Sequence, residues 1–112
     1  MGYTNFWQQP TEFTQSEWAQ VVKEAEYIKT WTLNNKTKTK DYVQVVIEED
    51  LIIIEGVHPN VCENFVLYRN VVSKDRLLFC KTYMRLYDLA VRYLLNVCVA
   101  VKKDFTLTHT PI

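Results

Sequence analysis

Apolar residues recur along this chain with two periods, and the switches between them mark out the elements. Trp18, Val21, Val22, Ala25 and Ile28 keep the 3.6-residue spacing of one helix face, with Lys23, Glu24 and Glu26 on the other side. The start of that helix is written into the side chains. Thr14 stands at the N-cap position and Glu17 three residues on, so each can bond the other's backbone N–H as a capping box. Phe13 before the cap and Trp18 after it are placed for a hydrophobic staple. The pattern predicts an amphipathic surface helix that ends near Thr30 to Leu33.

Elsewhere the period drops to two or the residues become β-branched and aromatic. Tyr3 to Trp7 reads as a short aromatic strand ended by Pro10. Tyr42 to Ile47 and Leu51 to Glu55 are β-rich and separated by the acidic turn Glu48, Glu49, Asp50, which predicts an antiparallel hairpin. Asn64 to Arg69 alternates, with Phe65 and Leu67 on one face, and Leu77 to Thr82 follows as a further strand. A second helix is expected from about Tyr83 to Lys103. Leu86, Leu89, Ala90, Tyr93, Leu94, Val97 and Val101 mark one face of it, and Tyr87, Val91, Leu95, Cys98 and Val99 extend the apolar surface almost all the way round. A helix of that kind is expected to be central and covered on several sides, with burial holding its poor helix-forming valines. Phe105 to His109 would return as a last strand. The order β-α-β-β-β-β-α-β predicts an α+β fold, a mostly antiparallel sheet packed by two helices, in one compact domain over residues 1–112.

Composition narrows this picture. The chain has 112 residues, 48% of them hydrophobic and 13% aromatic, enough for one ordered core and too few for two domains. Formal net charge is zero, but residues 1–63 carry five lysines and no arginine against ten acids, and residues 64–112 reverse the imbalance. Either the halves attract each other in the fold, or a basic site for an anion stands apart from an acidic face. Zero net charge disfavours duplex nucleic acid as a partner. Three cysteines, Cys62, Cys80 and Cys98, are widely spaced among apolar residues and read as core residues in a reducing compartment. No apolar run is long enough for a membrane span and the first residues do not resemble a signal peptide, so a cytoplasmic protein with no membrane partner is expected.

One feature points to chemistry. Lys81, Arg85, Asp88, Arg92 and Asn96 follow at spacings of three and four, a charged line on an otherwise apolar helix. As plain structure, Arg85 and Arg92 would flank Asp88 as ion pairs along a solvated edge. As a site, Lys81, Thr82 and Arg85 would reach an anion at the helix N-terminus, where backbone N–H groups and the helix dipole favour negative charge. Tyr3, Trp7 and Tyr87 would stack on a ring, and Asp88 would orient Arg85 or accept from a ribose hydroxyl. The alternative for Tyr3 to Trp7 is that alternate residues pack on the core. Glu63 and Asp88 are the carboxylates available for acid/base work, and His58 and His109 lack the spacing of a metal site. No cofactor or catalytic nucleophile pattern is legible.

Three segments add a setting. Tyr3-Thr4-Asn5-Phe6-Trp7, the run from Ile54 through Gly56 to Cys62-Glu63-Asn64-Phe65-Val66-Leu67, and Phe79-Cys80-Lys81-Thr82 followed by Tyr87-Asp88-Leu89 resemble a group of small phage and prophage proteins. The chain departs from that group at Leu86, where the group has proline, and at Phe105 to Thr108, which replaces a Ser-Ser-Asp-Gly strand. The resemblance implies phage biology inside a bacterial cell. By analogy it implies a counter-defence protein that sequesters a phosphorylated, nucleotide-like signalling molecule in the host cytoplasm; because small binding domains often build pockets across a dimer interface, a homo-oligomer is an expectation too. Two other readings stay open. One is a protein-interaction module that inhibits a host enzyme or joins a phage assembly, with an exposed edge such as Leu51 to Ile54 pairing with a partner strand. The other is an enzyme acting on a phosphorylated nucleotide.

Overall fold

A computed structural model describes residues 3–35, 42–57, 64–71, 78–82 and 86–110, with the backbone alone at positions 3, 34, 35, 42, 56, 57, 81, 82, 86, 109 and 110. The elements are β1 (Tyr3–Gln8), α1 (Gln15–Asn35), β2 (Tyr42–Ile47), β3 (Leu51–Val57), β4 (Phe65–Tyr68), β5 (Leu78–Thr82), α2 (Leu86–Val101) and β6 (Thr106–Thr110). This is the α+β order the sequence predicts, with every strand pair antiparallel. Among the described residues six strands form two three-stranded sheets, β5-β1-β6 and β2-β3-β4.

The capping box forms as read. Thr14 Oγ1 accepts from the Glu17 N–H (3.1 Å), and the Glu17 carboxylate accepts from the Thr14 N–H (2.9 Å). The staple forms too, with the Phe13 and Trp18 rings 5.5 Å apart. Trp18 Nε1 donates to the Glu49 carbonyl (3.0 Å), which ties the start of α1 to the β2–β3 turn. That turn has two central residues, Glu49 and Asp50, and is closed by Glu48 N–H donating to the Leu51 carbonyl (2.9 Å). In β4 Phe65 and Leu67 are buried while Tyr68 is exposed, as strict alternation requires.

One core joins the sheets. Trp7 of the first sheet and Phe65 of the second meet with tilted rings 5.2 Å apart, and α2 packs against β1, β2, β3 and β6. A polar seam runs beside this contact. Buried Gln9 donates to the carbonyls of Tyr68 and Arg69 (3.0 and 3.1 Å), and Phe13 N–H donates to the Arg69 carbonyl (3.0 Å). At the far end of α2 the buried Lys102 ammonium meets Asp104 (2.9 Å), bonds the Thr11 hydroxyl, and sits 5.9 Å from the centre of the Phe13 ring. A buried lysine needs such partners, because an unpaired ammonium is costly to desolvate.

One expectation is corrected here. Leu51–Ile54 is not an exposed edge: β3 is the central strand, paired on one side with β2 and on the other with β4. α2 is covered on several sides, as expected, by α1 and by strands of both sheets, but one face stays open. Tyr87, Ala90, Val91, Leu94, Leu95 and Cys98 are buried, but Leu89, Tyr93 and Val99 are exposed. The helix has more apolar faces than the fold has surfaces to cover them, so periodicity could not tell which face stays open. Cys80 and Cys98 are core residues as expected. Cys62, His58, Glu63, the start of the expected second helix at 83–85 and the segment 36–41 lie outside the described residues.

Candidate functional site

Two regions of the surface carry the chemistry worth weighing. The first is the corner where β1, β5 and α2 meet, which holds the positions singled out in the sequence. Pairing of β1 with β5 sets Tyr3 opposite Thr82, Thr4 opposite Lys81 and Asn5 opposite Cys80. Strand alternation therefore assigns position 82 to the sheet face of Asn5 and Trp7, and position 81 to the face of Phe6 and Phe79. Phe6 and Phe79 contact each other at 6.3 Å on that second face, with Phe79 exposed. The corner thus brings Tyr3, Lys81 and Thr82 onto neighbouring rungs and divides Lys81 from Thr82 between two faces. Arg85 lies outside the described residues.

Asp88 sits in the first turn of α2 and is 3% exposed, so the charged line on this helix is not a solvated edge at that point. Its Oδ1 accepts from Asn5 Nδ2 (3.3 Å) and its Oδ2 lies 3.6 Å from Arg92 Nη1. The carboxylate is itself an anion at the helix start, where the dipole favours one. Further along the line, Asn96 bonds the Arg92 carbonyl (2.8 Å). Tyr87 and Trp7 are buried. Tyr87 Oη lies 3.4 Å from Cys80 Sγ, and Trp7 packs on Phe65. Of the three aromatics read as stacking residues, these two belong to the core, Trp7 on the inward face of β1 with Asn5, and Tyr87 on the buried face of α2 with Val91 and Leu94. The side chain of Tyr3 is outside the described residues.

The second region escaped the sequence reading. Tyr27 and Trp31 on α1 and Leu89 and Tyr93 on α2 line a cavity of about 270 Å³ together with Ile28, Thr32 and Ala90. Their exposures are 59%, 43%, 63% and 42% in that order. Each helix contributes two large side chains at i and i+4, one turn apart on the same face. The Tyr27 and Tyr93 rings are 6.1 Å apart, and the Tyr93 hydroxyl donates to Glu24 (2.5 Å). That carboxylate raises the Tyr93 phenol above its ordinary value. The signal was present in the sequence as Tyr27-x-x-x-Trp31, off the apolar face defined by Ile28 and Ala25.

Among the described residues no group of three His, Cys, Asp or Glu side chains is placed to hold a metal ion, and no helix is long and apolar enough to cross a membrane. No family model, curated protein or solved structure matches the chain. Its own residues are the whole basis for a functional reading.

Proposed function

We propose that this chain is a binding module for another protein, and that the groove between α1 and α2 is where the partner docks. The observation that carries the reading is the cluster of four large, largely exposed side chains, Tyr27, Trp31, Leu89 and Tyr93, around one depression. Contiguous exposed apolar surface costs solubility and marks interaction sites. Aromatic rings backed by a rigid pair of helices are the residue type that dominates binding energy at such sites. The two-by-two spacing suits an apolar stripe on a partner helix laid between them. In the phage setting the sequence resembles, the partner would be a host enzyme or a phage assembly component. The test compares the chain with its Leu89→Lys variant as bait in host lysate, after both are shown to melt alike. A stoichiometric partner held by the wild type and lost with Leu89→Lys supports the reading. A partner held equally by both refutes it.

A second reading keeps the phosphorylated, nucleotide-like ligand and a sequestering role. It is favoured by the register that draws Tyr3 and Thr4 against Thr82 and Lys81 beside the start of α2. Lys81, Thr82 and Arg85 would hold phosphate groups there. Thermal melts against a panel of linear and cyclic nucleotides test it, with mass spectrometry of the recovered ligand separating holding from turnover. A shift that disappears in Lys81→Ala supports this reading. No shift with any member at millimolar ligand refutes it.

A further inference from the structure

The first sheet has a dry face and a wet one. Asn5, Trp7 and Cys80 are buried on the face toward α2, where Asn5 bonds Asp88. Gln8, Phe79, Thr106 and Thr108 are exposed on the other face, and Thr4 and Phe6 are half-buried there. Strand pairing arranges this outer face in rungs. Phe79, Phe6 and Thr108 share the middle rung, Lys81 and Thr4 the next, and Gln8 and Thr106 the one on the other side.

Two properties of this face point to its ligand. The rings of Phe6 and Phe79 lie side by side on adjacent strands, centroids 6.3 Å apart and planes tilted by 42°, and Phe79 is 52% exposed. They stand among hydroxyl and amide side chains and not in a contiguous apolar patch. Such a face offers little to a protein and a stacking surface to an unpaired base. The second property is charge. β1, β5 and β6 carry one lysine and no acid. The β2–β3 hairpin over 42–57 carries four acids and no base. Asp88 and Asp104, the acids between β5 and β6 in sequence, are already matched by Arg92 and Lys102. The outer face of the first sheet is therefore complementary to an anionic chain, and the second sheet repels one.

We infer that the outer face of β5-β1-β6 binds single-stranded RNA. Two neighbouring bases stack on Phe6 and Phe79, the use to which paired aromatics on open sheet faces are commonly put. The phosphates pass position 81. Thr108, next to Phe6 on its rung, is placed for the ribose 2′-hydroxyl, a group that donates and accepts as threonine does. A duplex hides its base faces, and its charge density calls for more cations than a chain of zero net charge brings. This face shares no residue with the α1–α2 groove. It shares Thr4 and Lys81 with the nucleotide reading, which uses neither phenylalanine, so substitution of Phe79 separates the two.

The test is fluorescence anisotropy of the full chain with a labelled mixed-sequence RNA dodecamer, its DNA counterpart and the RNA duplex, carried through a salt titration. The RNA strand should bind most tightly and the duplex least. Phe79→Ser should weaken RNA binding by roughly 5- to 150-fold, the value of one stacked base. The position is exposed, so the variant should melt like the wild type, and Phe79→Trp should restore binding. Lys81→Gln should weaken binding and lower the salt slope by about 0.7. Tyr68→Ser, which removes a ring exposed on the other sheet, should bind like the wild type. RNA carrying thiouridine should cross-link within β1 or β5 when the peptides are mapped. Three results would overturn the inference: no binding at about 0.1 mM protein, the weak end of non-specific nucleic-acid affinity; RNA binding undiminished in both Phe79→Ser and Lys81→Gln; or DNA or duplex bound as tightly as the RNA strand.

Discussion

Replacing Asp88 with asparagine removes a charge from a sealed position and almost no volume. Three interactions among the described residues change. The bond from Asn5 becomes a neutral one, and charge-assisted bonds are worth about 1 kcal/mol more than neutral ones. The contact with Arg92 loses its ionic part; with the arginine side chain about a third exposed (34%), solvent screening holds that to roughly 0.5–1 kcal/mol. The first turn of α2 loses a carboxylate at the positive end of the dipole, about 0.3–1 kcal/mol. Together they place the loss at about 2–3 kcal/mol. For a chain of this length the unfolding entropy converts each kcal/mol into roughly 4 °C, so the melting temperature should fall by roughly 8–12 °C. Circular dichroism melts and urea titrations of Asp88→Asn, Arg92→Met and the double variant measure it, and the cycle isolates the 88–92 coupling. A structural Asp88 shows this loss. If the variant melts within about 2 °C of the wild type, or above it, the carboxylate is not held as described, and a residue kept for ligand binding at a cost in stability becomes the better account.

Other outcomes are equally open to measurement. Thr14→Ala removes the hydroxyl half of the capping box and should cost about 1 kcal/mol in urea unfolding, with Glu17→Ala in the same background costing little more. The Lys102 ammonium, followed by the Thr11 hydroxyl, holds the Asp104 carboxyl below its ordinary value. Its contribution is therefore present above the unfolded carboxyl pKa and fades as pH falls through the lowered one, so Asp104→Asn should be less stable than the wild type at neutral pH and converge with it in acid. Tyr93 has the opposite sign. Its raised phenol stabilises the fold below the unfolded tyrosine pKa, and that contribution is lost as pH rises through the folded value, so Tyr93→Phe should flatten the alkaline limb of the stability curve. Burial pushes the Cys98 thiol far up. Peptide mapping after alkylation should find Cys98 unmodified in the native protein and modified in urea.

Local signals in the chain were legible and long-range ones were not. Thr14 and Glu17 sit three residues apart, the Glu49–Asp50 turn joins strands that touch at once, and Phe65 and Leu67 alternate within one strand, so each element could be read from its neighbours. The split into two sheets could not, because β1 pairs only with β5 and β6, far down the chain. Asp88 shows the same limit. Its spacing from Arg85 and Arg92 put it on a line, but what covers that line is Asn5, 83 residues away. The aromatic groove was hidden for a different reason: Leu89 and Tyr93 share their hydrophobicity with the buried positions beside them, and only the finite width of the sheets decides which are left outside.

The position of β1 at the centre of its sheet also sets a schedule for the growing chain. This strand leaves the ribosome before the other described elements, yet both of its neighbours come late, and Trp7 must wait for Leu78 and then Leu107. At roughly 5–20 residues per second the first wait is roughly 4–14 s. During it, the stretch from α1 through β4 can form its hairpin and third strand from local contacts, while an aromatic strand with two open edges has nothing of its own to pair with. That interval is when a holding chaperone would find Tyr3–Gln8 available, and when a truncated product ending before β5 would be most prone to aggregate.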